Sequence, residues 1–242
     1  MVAYLFPGQG RDSGQLQTDI FQESIGLYRT IHDIEKGHVV GGLSLGEFSA
    51  LCAAKVLNAE VCIDLLSKRQ ILMDRACIEF PGSMAAILGL DVIQLEKICQ
   101  KVGGVVIANF NSPKQLVVSG NSDAVTLVIA QATQNRAKAI KLKVAGAFHS
   151  PLMDNASAEF AKTLEQVTFA EPTAPFYSSV SGEKVEKAET IRILSCKQMN
   201  SPVLFEKMVR SIQHDGVTEF IEVGTTSVIA RLLPDIVGHG VG

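Results

Sequence analysis

The sequence lacks any apolar run approaching the roughly 18 to 20 residues needed to cross a bilayer, which excludes a helical membrane span and predicts a soluble chain. Its start, MVAYLFPGQG, has no basic region followed by a long apolar stretch and a small-residue cleavage site, so nothing marks it for secretion and a cytoplasmic location is expected. The five cysteines, Cys52, Cys62, Cys77, Cys99 and Cys196, form no C-x-x-C pair and no cluster with histidine. No metal site is therefore expected, and buried free thiols are the plain reading. Positive charge is not in excess: a formal net charge of -3 argues against general nucleic-acid binding. Arg136, Lys138, Lys141 and Lys143 make one local basic patch, readable either as a docking surface for an acidic protein or as a solvated strand edge. Internal repeats, low-complexity tracts and Pro/Gly/Ser-rich linkers are also missing, so nothing cuts the chain into beads.

What is present is enough apolar material, 47% of 242 residues against 19% charged, to bury one large core with or without an insert, and a monomer is expected. Periodicity supplies the organisation. Val2 to Phe6 reads as a strand ending at Pro7-Gly8-Gln9-Gly10, Gln22 to Thr30 as a helix, and His38 to Gly42 as a second strand. Leu45, Phe48, Leu51, Cys52 and Val56 then recur at helical spacing, and a further helix runs from about Glu60 to Cys77. After Pro81-Gly82 come a strand (Met84 to Leu90), a helix capped by Asp91, a strand (Val105 to Phe110), a return strand (Gln115 to Ser119), a helix capped by Ser122, and a strand (Lys138 to Val144). That order is ferredoxin-like. The expected fold is thus α/β: a hydrolase-like body of residues 1–81 and 147–242 with a mainly parallel sheet, and an inserted ferredoxin-like subdomain at 82–146. In the second half of the body, Ser150-Pro151 and Ser201-Pro202 both read as helix starts, and Pro175 to Val180 and Glu219 to Val223 as strands.

Gly42-Leu43-Ser44-Leu45-Gly46 fits G-x-S-x-G, in which glycines let a strand turn sharply into a helix and hold the serine hydroxyl clear of the backbone. The N–H of Leu45 is then the natural first donor to an oxyanion. The plain alternative is a Gly-rich turn with an ordinary serine. A serine hydroxyl needs a base. Among His32, His38, His149, His214 and His239, only His149 sits between a strand and a helix start, whose positive end would keep the ring neutral; the alternative is a loop histidine packed beside Phe148. Arg69 lies within the apolar stripe of its helix, as an anion clamp or, more plainly, as a snorkelling side chain or a partner of Asp64 or Asp74.

Together these motifs resemble the malonyl-CoA:acyl carrier protein transacylases, including stand-alone acyltransferases of polyketide synthesis. The resemblance covers nearly the whole chain: FPGQG at 6–10, GLSLGEFSAL at 42–51, KRQILM at 68–73, MAAILGL at 84–90, ANFNSPKQLVVSG at 108–120, AFHSPLM at 147–153 and EVG at 222–224, in family order. It implies Ser44 as nucleophile, His149 as base, the backbone carbonyl of Gln198 as the group orienting that base, and the N–H groups of Gln9 and Leu45 as oxyanion donors. It also implies Arg69 as the clamp for a free malonyl carboxylate, reversing the plainer reading, and Phe148 as a residue of malonyl-selective members. The implied reaction moves malonyl from malonyl-CoA to the phosphopantetheine thiol of acyl carrier protein, with no permanently bound cofactor or metal and no nucleic-acid or membrane partner. Alternatives are an acyl hydrolase acting on carrier-bound chains and a catalytically impaired carrier-binding module. Three features depart from the family: only 34 residues (10–43) separate Gln9 from Ser44, Leu43 stands where a histidine is common, and Gly224-Thr225-Thr226 replaces Gly-Pro-Gly.

Overall fold

Strand β1 (Val2–Phe6) alternates between two cores, Tyr4 and Phe6 entering one and Ala3 and Leu5 the other, as expected of a strand covered on both faces. After it come α1 (Gln17–His32), β2 (His38–Gly42), α2 (Gly46–Ala53) and α3 (Ala59–Glu79). The chain then forms β3 (Gly82–Leu88), α4 (Val92–Val102), β4 (Val105–Ser112), β5 (Gln115–Asn121), α5 (Ser122–Gln134) and β6 (Lys138–Lys141). A 3-10 turn at Pro151–Met153 opens the last stretch, with α6 (Asp154–Leu164), β7 (Phe176–Ser178), β8 (Glu183–Val185), α7 (Ala188–Lys197), α8 (Phe205–His214), β9 (Glu219–Glu222) and α9 (Val228–Val237). This computed structural model describes residues 1–9, 16–32 and 37–238; Gly10 of the FPGQG motif, His239 and the side chain of His32 lie outside the described residues.

The result is a mixed α/β fold with two sheets. The larger has the order β8-β7-β2-β1-β9 and is parallel except where β8 pairs antiparallel with β7. Helices α1, α2, α3, α6 and α7 supply one core against it, and α8 and α9 the other. The smaller sheet, β4-β5-β3-β6, is antiparallel throughout. Helices α4 and α5 pack on one of its faces, while Met84, Ala86, Ala108 and Val117 on the other gather Leu142, Val144 and Phe148. No helix among the described residues is long and apolar enough to cross a membrane.

Most local expectations hold, with informative exceptions. Asp91 caps α4 in a full capping box with Gln94. Ser122 does not cap α5: it is the first helical residue, with Asn121 at the cap position. Strand β6 ends at Lys141 rather than Val144: Leu142 N–H still donates to the Met84 carbonyl of β3 at 2.9 Å, but regular pairing stops there, and Leu142 and Val144 pack beneath the smaller sheet. Ser201-Pro202 starts no helix. Val203 instead pairs with β4, donating to the Ala108 carbonyl at 2.8 Å and accepting from the Phe110 N–H at 2.9 Å, and α8 begins only at Phe205.

Candidate active site

The turn between β2 and α2 is forced by close backbone packing. A Cβ on Gly42 would stand 2.1 Å from the Gly46 carbonyl carbon, and one on Gly46 would stand 2.1 Å from the Phe6 carbonyl oxygen. Leu43 N–H donates to that same Phe6 carbonyl at 2.9 Å, pinning the turn to the exit of β1. Between them Ser44 has φ 53°, a left-handed conformation that non-glycine residues rarely hold without surrounding constraint. Its side chain is half-buried.

His149, also left-handed at φ 57°, directs Nε2 to the Ser44 Oγ at 2.8 Å. Its Nδ1 faces two backbone carbonyls, Gln198 O at 2.9 Å and Ser201 O at 3.1 Å. Carbonyls only accept, so Nδ1 carries the proton and Nε2 is left to accept from the serine. Burial, followed by the charge of Arg69, pushes the ring down to about 4. The neutral imidazole expected from the sequence is therefore present, although the causes are desolvation and a nearby cation. The cap expectation also stands: Ser150 Oγ accepts from Leu152 N–H at 3.3 Å.

Arg69 is 1% exposed, and none of the ion pairs among the described residues includes it; Asp64, offered as a partner by sequence proximity, pairs with Lys68 instead. Its fork is held by neutral oxygens: Nε donates to Gln198 Oε1 at 3.1 Å, Nη1 to Gln17 Oε1 at 2.8 Å, and Nη2 to Ser44 Oγ at 3.3 Å. A guanidinium has five N–H groups, so this arrangement leaves capacity for an incoming anion. Burial lowers its pKa to about 10, opposed by the charge of Glu47, and it remains cationic at neutral pH.

Sequence reading missed three contributors. Gln17, at the start of α1, orients Arg69 from 52 residues away. The Ser201 carbonyl gives His149 a second acceptor. Glu47, three residues after Ser44 and 2% exposed, accepts from Ser178 Oγ at 2.7 Å, from Ser179 N–H at 3.2 Å and from Ser179 Oγ, tying α2 to the end of β7. Burial raises its pKa. A carboxylate at helical position 47 next to buried Phe48 was the available signal for that one; the other two had none.

Gln198 joins the set through both backbone and side chain, since its Nε2 also donates to the Ser44 carbonyl at 2.7 Å. Phe148 packs against both the body core and the inner face of the smaller sheet, at the seam beside His149. Gln9 follows Gly8, whose backbone lies against the Leu43 carbonyl (a Cβ there would be 2.8 Å from it), and Leu45 follows the nucleophile directly. Lys138 and Lys141 are exposed on the edge strand β6, away from these contacts. A cavity of about 620 Å³ lined by Tyr177, Lys184, Lys207 and Asp215 shares no residue with the Ser44 cluster. Among the described residues no group of His, Cys, Asp and Glu is arranged to hold a metal.

Residues 27–238 match the acyl transferase domain family. The chain is 37% identical over 200 residues to the malonyl CoA-acyl carrier protein transacylase of Bacillus subtilis, covering 81% of this chain and 63% of that protein. The chain thus spans less than two thirds of that relative's length. Its structure is similar to that of MCAT from Streptococcus pneumoniae, with TM-score 0.91 and 29% identity over 100% of this chain and 94% of the other. It is also similar to a malonyl-transacylase solved in complex with its type II PKS acyl-carrier protein, with TM-score 0.92 and 29% identity over 98% and 93% of the two chains.

Proposed function

The chain belongs to the acyl transferase domain family, in its malonyl CoA-acyl carrier protein transacylase group, and from that premise we propose that it moves a malonyl group from malonyl-CoA to the phosphopantetheine thiol of an acyl carrier protein through an acyl-enzyme on Ser44. One observation carries the reading: the Ser44 hydroxyl lies 2.8 Å from a buried, neutral imidazole and 3.3 Å from a buried guanidinium. The first makes it a nucleophile. The second selects what it attacks.

In the proposed cycle His149 Nε2 takes the Ser44 proton as Oγ attacks the thioester carbonyl, and the Gln198 and Ser201 carbonyls support the imidazolium that forms. Backbone N–H groups of Gln9 and Leu45 receive the developing oxyanion. Coenzyme A leaves with the proton from His149. The carrier thiol then gives its proton to His149 and attacks the serine ester; the Oγ–acyl bond breaks, Ser44 recovers the proton from His149, and the ping-pong exchange is complete. Arg69 holds the malonyl carboxylate throughout, exchanging its bond to the Ser44 oxygen for a bidentate contact with the anion. Phe148 shapes the pocket wall for an unbranched malonyl group. These side chains suffice for the chemistry, so the proposal includes no permanently bound cofactor or metal.

The finer architecture belongs to the same reading. The antiparallel order β4-β5-β3-β6, with both helices on one face, supports a ferredoxin-like subdomain at 82–146 set into a hydrolase-like body of 1–81 and 147–242. A monomer working in the cytoplasm, with coenzyme A thioester and carrier protein as its partners, completes the proposal. The test is transfer of labelled malonyl from malonyl-CoA to a phosphopantetheinylated carrier protein. Labelled carrier formed by the wild-type chain and not by Ser44→Ala supports it; release of free malonate without carrier labelling would replace it with hydrolysis.

A further inference from the structure

Cys52 lies at the end of α2 and Cys62 in the opening turn of α3, so the hairpin bearing the nucleophile turn on one arm and Arg69 on the other also brings two thiols together. Cys62 is fully buried and donates to the Phe48 carbonyl at 3.6 Å; Phe48 lies one helical turn before Cys52, whose side chain leans back over that same turn, so the two thiols are neighbours. Cys52 is half-buried and lines a cavity of about 500 Å³ together with Tyr28, Arg29, Lys55 and Asn58. A small oxidant therefore has a route to the outer sulfur, with two cationic side chains beside it, while the inner sulfur is reached only through its neighbour. Neither sulfur bonds to Ser44, His149 or Arg69 among the described contacts, so acyl transfer does not account for the pair.

We propose that Cys52 and Cys62 form a modification site, a peroxide-sensitive dithiol that closes to a disulfide across the α2–α3 hairpin. The Cys52 thiolate attacks one oxygen of hydrogen peroxide, the O–O bond breaks, hydroxide leaves, and a sulfenic acid forms. The Cys62 sulfur then attacks the Cys52 sulfur. The S–S bond forms as the S–O bond breaks, and the departing hydroxide takes the Cys62 proton to leave as water. In total two thiols and one peroxide become one disulfide and two waters, and thiol exchange with an external dithiol reverses the change. The other cysteines lack this setting. Burial pushes Cys77 and Cys99 up to about 11 and raises Cys196, whereas hydrogen bonding from Cys62, aided by the charge of Arg29, holds Cys52 below the usual thiol range despite its burial.

The test treats the full chain with hydrogen peroxide, blocks remaining thiols with an alkylating agent, and maps the non-reduced digest by mass. The expected product is a peptide pair joined through Cys52 and Cys62, lighter by two hydrogens and separated by dithiothreitol, forming at least about tenfold faster than any oxidation of Cys77. Cys52→Ala, at the half-buried position, abolishes it. Oxidation of Cys77 or Cys196 ahead of the pair, or Cys52 recovered as sulfinic acid beside a free Cys62 thiol, would overturn the proposal. The readout uses no acyl donor, so its outcome is independent of the acyl-transfer reading.

Discussion

Arg69 Nη2 donates to the Ser44 hydroxyl at 3.3 Å, so the most buried cation among the described residues is one hydrogen bond from the proposed nucleophile. The sequence separates them by 25 positions, Ser44 in the turn before α2 and Arg69 on α3, and the side-chain amides of Gln17 and Gln198 hold the guanidinium in place. A buried charge without a carboxylate partner is unfavourable for the resting fold. In the proposed reaction it becomes favourable when an anionic substrate arrives, and the proposed selectivity originates there.

Arg69→Ala is expected to lower malonyl transfer much more than transfer of an uncharged acetyl group. A bidentate, charge-assisted contact contributes about 3 kcal/mol, so the ratio of the two kcat/KM values shifts by roughly a hundredfold. Arg69→Lys recovers little of it, since an ammonium cannot reproduce the planar fork. Equal losses for both donors would remove the clamp assignment.

The pH profile follows from His149. With its pKa depressed to about 4, the ring is already a free base at pH 6, so kcat/KM for the first half-reaction stays flat down to about pH 5 and falls below it. Removing the neighbouring positive charge favours the imidazolium, so in Arg69→Ala the acid limb moves to higher pH, towards the ordinary value of 6.5. The same shift bears on stability: as pH falls from about 6.5 towards 4 the unfolded chain takes up a proton that the folded one refuses, and stability declines. An acid limb that stays put in the variant would show that Arg69 does not act on the base.

Glu47 tests the support behind the turn. Glu47→Ala leaves the buried donors of Ser178 and Ser179 without their acceptor and is expected to destabilise the fold by about 2 to 4 kcal/mol in a urea melt. Glu47→Gln keeps one acceptor oxygen and loses less. A change within about 0.5 kcal/mol for the alanine variant would deny these contacts any structural role.

Two glycines give a paired prediction. Gly46→Ala drives a Cβ into the Phe6 carbonyl and should abolish both the turn geometry and acyl loading. Gly26→Ala, in the middle of α1 with nothing within 4 Å, should raise stability by about 0.5 to 1 kcal/mol. Thermal melts and loading assays on the pair separate local crowding from a general intolerance of substitution.

What the sequence disclosed follows the range of the forces involved. The Gly42–Gly46 turn, the Asp91 cap and the Leu65, Leu66 and Met73 stripe are local, and they read correctly. Ser201-Pro202 misled because a helix-start pattern yielded to pairing of Val203 with a strand more than ninety residues earlier. Lys138–Val144 read too long because the apolar alternation of Leu142 and Val144 runs on past the regular pairing of β6 with β3. Gln17 and the Ser201 carbonyl were illegible for the same reason: their partners are 52 residues away in each case, and only the fold brings them together.

The central claim, a malonyl ester on Ser44, is tested most directly by intact mass after incubation with malonyl-CoA and no acceptor. The account predicts a single malonyl addition, located on the Ser44 peptide, absent from Ser44→Ala and discharged by a phosphopantetheine thiol. An unmodified wild-type chain, or an adduct that persists in Ser44→Ala, would contradict it.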